Sequence, residues 1–153
     1  MEQNKQNKNY LNISKINNFV YIGSFDHAFT DSEEFQKLGI NVIINCTKEI
    51  EHPSEIIDKY TVINFPFENN DSASLLEYID EVNEKIHNYL ENGKKIYLHC
   101  IKGISRAPAI LIYYLMSHKK FSYDQAHDLI REIRPVININ DNFERELRII
   151  EDN

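Results

Sequence analysis

Residues 95–116 read Lys95-Ile96-Tyr97-Leu98-His99-Cys100-Ile101-Lys102-Gly103-Ile104-Ser105-Arg106-Ala107-Pro108-Ala109-Ile110-Leu111-Ile112-Tyr113-Tyr114-Leu115-Met116. Lys95 to His99 is a strand pattern, and Arg106 to about His118 is apolar nearly all round, as in a buried central helix. The loop between them, from His99 to Arg106, carries chemistry. A loop that leaves a strand end and enters a helix N-terminus turns successive backbone N–H groups inward and adds the positive end of the helix dipole. Ile101, Lys102, Gly103, Ile104 and Ser105 therefore form a predicted phosphate cradle. A thiol at its start, Cys100, is favoured as the thiolate and so as a nucleophile. Six residues on, Arg106 can lay its planar fork across two phosphate oxygens. Gly103 lets the loop close tightly, and Pro108 is tolerated in the first helical turn. The pattern supports phosphoryl transfer to Cys100 followed by hydrolysis. No metal or cofactor is expected, because amides and Arg106 supply the electrostatics.

Working outward, Phe19–Ile22 reads as a strand closed by Gly23. Thr30-Asp31-Ser32-Glu33-Glu34 opens a helix that Gly39 ends. Asn41–Cys46 and Thr61–Phe65 read as further buried strands, and Pro66 begins a polar loop to about Ala73. Leu75, Leu76, Ile79, Val82, Ile86, Tyr89 and Leu90 recur at helical spacing until Asn92-Gly93. Ser122 with Gln125 forms a capping box, and Asn140 or Asp141 starts a last helix. Strands alternating with helices predict an α/β fold with a central sheet. Residues 1–12 are polar and read as a flexible N-terminal arm, leaving 13–153 as one domain.

The chain has 153 residues and a formal charge of −7, and its hydrophobic content is 42 %. That length fits one core. No run approaches the roughly 20 apolar residues of a membrane span. The N-terminus lacks the apolar stretch of a secretory leader, so a cytoplasmic protein, with nuclear access open, is expected. The acidic balance argues against nucleic-acid and anionic-membrane partners. Two cysteines, Cys46 and Cys100, are too few for a disulfide scaffold. Nothing in the sequence sets the oligomeric state.

His-Cys-x-x-Gly-x-Ser-Arg at 99–106 resembles the signature of the cysteine-dependent dual-specificity phosphatases. Val20-Tyr21-Ile22-Gly23, Leu38–Asn45, Phe65-Pro66, Tyr114-Leu115-Met116 and Arg134-Pro135-Val136-Ile137, followed by Asn140 and Phe143, keep the family's order. The resemblance implies a central, mostly parallel sheet of four or five strands flanked by helices. It also implies a phosphorylated protein substrate, with phosphotyrosine and phosphoserine/threonine hydrolysed through a phosphocysteine. Within it, His99 orients the loop and Asn140 braces it, although Asn140 is equally explained as a helix cap.

Two positions depart from the family. Its general-acid Asp is replaced by Asn69, which leaves Asp71, flanked with Glu68 on the same loop, as the candidate acid. Where the family has a Ser or Thr hydroxyl after the signature Arg, this chain has Ala107, and Ser105 stands one residue too early to take over. These changes predict a slow enzyme; a phosphoprotein-binding pseudophosphatase is the alternative, and a phosphoinositide or RNA 5′-phosphatase a further one. Cys46 reads as a core residue. By resemblance to some phosphoinositide phosphatases of the superfamily, it is also a possible redox partner of Cys100.

Overall fold

Successive β-branched and aromatic residues make short strands, and the order of those strands places the signature loop. In the computed structural model, which describes residues 9–153, β1 (Ser14–Lys15), β2 (Val20–Gly23), β3 (Val42–Asn45), β4 (Thr61–Asn64) and β5 (Ile96–His99) form one sheet in the order β1-β2-β5-β3-β4. The β2–β5, β3–β5 and β3–β4 pairs are parallel, and the short β1 is antiparallel to β2. β5 is thus central, and its C-terminal residue His99 pairs with Gly23 on one side and Asn45 on the other. Cys100 leaves the sheet in the crevice beyond the carboxyl ends of parallel strands, where open α/β sheets hold ligands.

The period of two along each strand divides the core between the two faces. Val20, Ile22, Val42, Ile44, Ile96 and Leu98 point toward α4 (Ile79–Glu91), α5 (Arg106–Lys119), α6 (Tyr123–Ile133) and α7 (Asp141–Asp152), where the larger apolar cluster lies. Tyr21, Ile43 and Tyr97 point the other way, onto a smaller cluster with Ala28, Phe35 and Ile56. Those three come from α1 (Asp26–Thr30), α2 (Glu33–Gln36) and α3 (Ser54–Lys59). α5 lies at the centre of the larger cluster, with nine buried residues from Arg106 to Leu115. The expected caps are in place: Ser32 Oγ accepts from Phe35 N at 3.1 Å, Ser122 and Gln125 form the reciprocal box, and Asn140 caps α7.

Four details differ from the sequence expectations. β4 is a half-exposed edge strand rather than a buried one, with Thr61 and Asn64 facing solvent. α4 begins at Ile79, not at Leu75, and Leu76 is exposed because it precedes the helix. The short helices α1 and α3 had no signal of their own, because neither is long enough to display a period. Finally, the end of the expected arm is docked: Asn9–Leu11 forms a 3-10 turn, and the Tyr10 and Asn12 carbonyls accept from Arg134 at 2.6 and 2.5 Å. A buried guanidinium needs acceptors, and this stretch supplies two of them. Residues 1–8 of that arm lie outside the described residues.

Candidate active site

The loop from Cys100 to Ser105 is built by fixing its carbonyls. The Cys100 carbonyl accepts from His99 Nδ1 at 3.0 Å, and that of Ile101 from Phe25 N at 3.2 Å. Arg134, 2 % exposed, donates Nη2 to the Lys102 carbonyl at 3.0 Å and Nε to that of Gly103 at 2.7 Å. Asn138 N donates to the Ile104 carbonyl at 2.7 Å. In a trans peptide the N–H points opposite to the C=O, so pinning the oxygens outward turns the amides inward. Among the described residues no acceptor engages the N–H of Ile101, Lys102, Gly103, Ile104 or Ser105. This is a nest for an anion, made from backbone alone.

Two glycines permit it. Gly103 has φ +69°, and a Cβ there would meet the Gly23 carbonyl oxygen at 2.4 Å. A Cβ on Gly23 would in turn meet the Tyr97 hydroxyl at 2.4 Å, and that hydroxyl is itself fixed by donating to the Ser24 carbonyl at 2.6 Å. The close approach of the two backbones sets the loop against the end of β2.

Cys100 lies at the base of a cleft of about 330 Å³ lined also by Glu49, Asn69, Ile101, Lys102, Ile104, Ser105 and Arg106. Arg106 is 4 % exposed. Its Nη1 donates to Glu49 Oε1 at 2.7 Å and to the Phe67 carbonyl at 2.9 Å, and its Nη2 to Glu49 Oε2 at 2.9 Å. The bidentate Glu49 pair fixes the plane of the guanidinium. Arg106 Nε is buried with no hydrogen-bond partner among the described residues. The Arg106 hydrogen bonds hold the Glu49 carboxyl below the usual carboxylate range.

Asn69 is tied to the cradle. Its Oδ1 accepts from Ser105 Oγ at 3.1 Å and from Asn140 Nδ2 at 3.2 Å, while Ser105 Oγ also accepts from Asn140 N at 3.0 Å. Asn140 therefore braces the loop as well as capping α7. The Ser105 hydroxyl proton is committed to Asn69 and does not replace the hydroxyl that Ala107, fully buried in the first turn of α5, lacks. Asp71 is not in the cleft with Cys100. It lines an adjoining cavity of about 470 Å³ that shares Asn69, Ile104 and Ser105 with the cleft. Glu68 is turned away, paired with Lys48 at 3.0 Å, and that contact holds its carboxyl low. The Lys102 ammonium stands 5.5 Å from the Tyr10 ring centroid.

Cys46 and Cys100 are both free thiols and both buried. Burial, reinforced by the neighbouring Cys100, pushes the Cys46 thiol far above its ordinary range, as befits a core residue. Among the described residues no cluster of three or more His, Cys, Asp or Glu could hold a metal ion, and no helix is long and apolar enough to cross a membrane. The sequence reading missed three residues: Glu49, His52 and Arg134. Arg134 belonged to a recognised motif but had no assigned role. A carboxylate four residues past the end of a strand beside β5 was the available signal for Glu49.

A parallel sheet that delivers a cysteine and an arginine around an amide nest defines the cysteine-phosphatase class of fold. The comparisons make this specific. Residues 20–153 match the model of the dual specificity phosphatase catalytic domain, and the chain belongs to that family. It is 29 % identical over 133 residues to mouse dual specificity protein phosphatase 1, covering 87 % of this chain and 35 % of that protein. To mouse protein phosphatase Slingshot homolog 3 it is 30 % identical over 135 residues, covering 88 % of this chain and 20 % of the relative. The chain thus spans 35 % and 20 % of the lengths of these two relatives. Human tyrosine phosphatase-like serine/threonine/tyrosine-interacting protein superposes with a TM-score of 0.82 at 24 % identity, over 92 % of this chain and 95 % of the other. A mouse putative dual specificity phosphatase, crystallised with zinc tungstate, gives 0.81 at 22 % identity over 92 % and 86 %. These two show the fold.

Proposed function

We propose that the chain is a slow dual-specificity protein phosphatase acting on phosphotyrosine and phosphoserine/threonine. The observation that carries this is the cradle: five free amides, a cysteine at their base and an arginine whose plane is fixed by Glu49. The Cys100 thiolate attacks phosphorus, the bond to the leaving oxygen breaks, and that oxygen takes up a proton. Water then attacks the phosphocysteine, and the thiolate leaves. The amides and Arg106 stabilise the equatorial oxygens in both steps. Asp71 is the carboxylate of the 66–73 loop left without an ion pair, and we assign it the proton donation. A cytoplasmic signalling role accompanies this reading.

One observation favours a second reading, a phosphoprotein-binding pseudophosphatase. Asn69 occupies the acid position and serves there as a hydrogen-bond acceptor for Ser105 and Asn140, a structural task that needs no proton transfer. Steady-state assays on phosphopeptides, inositol phospholipids and RNA 5′-phosphates decide among the alternatives. The expected result is hydrolysis of the phosphopeptides alone, abolished by Cys100→Ser. Binding of phosphopeptides without phosphate release favours the pseudophosphatase, and preference for lipid or RNA ends overturns the protein-phosphatase assignment.

A further inference from the structure

Behind the cradle lies a buried contact between two imidazoles. His52 Nε2 and His99 Nε2 are 2.8 Å apart, the rings meet edge to face at 4.9 Å, and the residues are 4 % and 0 % exposed. The proton positions follow from the partners. A carbonyl cannot donate, so the 3.0 Å contact between His99 Nδ1 and the Cys100 oxygen requires the hydrogen on Nδ1. Burial keeps His99 neutral, holding its pKa down to about 3, so its Nε2 carries a lone pair. His52 must then supply the proton of the imidazole–imidazole bond from its own Nε2. Burial also lowers the His52 pKa, and His52 Nδ1 is buried with no partner. The Phe29 ring lies 6.0 Å away.

We propose that His52 is a positioning residue for the nucleophile loop: its Nε2–H, donated to His99, locks the His99 tautomer that pins the Cys100 carbonyl away from the cleft. That carbonyl is the first of the five whose orientation makes the nest. With it held inward to the core, the Ile101 N–H faces the bound anion and the Cys100 thiolate, and the negative end of the peptide dipole is kept from both. A donor at His52 also polarises the His99 ring and strengthens its Nδ1–H as a donor, as hydrogen bonds in series do. The segment between β3 and α3 then serves the cradle twice, through Glu49 on Arg106 and through His52 on His99. Its own shape is fixed by Asn45, whose Nδ2 donates to the Ile50 carbonyl at 2.8 Å.

This inference rests on Cys100 as the nucleophile, and its test is independent of turnover. Long-range ¹H–¹⁵N spectra of the intact protein at neutral pH are expected to show His52 protonated at Nε2 and His99 at Nδ1; the reverse tautomer at either ring overturns the proposal, whatever any variant does. The rate of Cys100 alkylation by iodoacetamide against pH, and its protection by inorganic phosphate, are then compared in His52→Gln and His52→Phe. Gln keeps an N–H donor and is expected to stay within about twofold of wild type. Phe removes it and is expected to raise the alkylation midpoint by at least about half a pH unit and to weaken phosphate protection about three- to tenfold. A folded His52→Phe with wild-type values in both, or equal losses in Gln and Phe, overturns the assignment. Absence of hydrolysis in the wild type would count against the phosphatase reading and leave these readouts intact.

Discussion

At residue scale, the two departures from the family pattern bear on different steps of the proposed mechanism. Asn69 cannot give up a proton, and general-acid help is typically worth about 10²–10⁴-fold. An Asp at 69 would find the same donors, Ser105 Oγ and Asn140 Nδ2, on one oxygen and keep the second for a proton. Asn69→Asp is therefore expected to raise the rate of substrates with poor leaving groups by about tenfold or more, with little change for an activated aryl phosphate. Ala107→Ser is expected to speed breakdown of the phosphocysteine, visible as a higher steady-state rate without a faster burst. A wild-type rate equal to that of both variants, measured on the same phosphopeptide, contradicts the two assignments. Asp71→Asn lowers the rate if Asp71 supplies the proton, and a rate unchanged by it removes Asp71 from the mechanism.

At element scale, the unit that matters is the strand–loop–helix from β5 to α5, and its shape depends on contacts from elsewhere. Gly103→Ala places a Cβ against the Gly23 carbonyl at a positive φ, a conformation that costs a side chain about 1–2 kcal/mol before the clash is counted. The variant is expected to lose about 1–3 kcal/mol in urea unfolding and most of its affinity for inorganic phosphate; wild-type values in both contradict the geometry. The same element explains what could be read in the chain. Cys100, Gly103 and Arg106 were legible because their roles are written within eight consecutive residues. Their supports were not, because each arrives across the fold. Glu49 is 57 residues from Arg106, His52 is 47 from His99, and Arg134 is 31 from Gly103. β4 is more exposed than its sequence predicts for a similar reason. An apolar Val-Ile pair marks a strand, but whether the strand lies at the centre or the edge of a sheet is set by topology.

At the scale of the whole molecule, the chain is acidic, with a net charge of −7, and in the proposed reading its affinity for phosphate comes from one local nest and one arginine. The buried histidines behind that nest couple it to stability. Both His52 and His99 are held below the ordinary histidine value by burial, so the folded state binds fewer protons than the unfolded state as the pH falls. Their contribution is complete above about pH 6.5 and is lost below it, toward about 3 for His99. The slope is about 1.4 kcal/mol per pH unit for each histidine the fold keeps neutral. Asp31 and Glu49, held low by their partners, act in the same direction at lower pH. Urea midpoints measured from pH 7 to 4 are expected to fall steadily, and less steeply in His52→Gln; a flat profile contradicts the neutral buried pair. The covalent chemistry is tested most directly by a single turnover with enzyme in excess, quenched in acid and read by intact and peptide mass. The account predicts one phosphoryl group on Cys100 that forms faster than it decays, with none in Cys100→Ser. Release of phosphate with no Cys100 adduct at any time, or with the adduct on another residue, would contradict it.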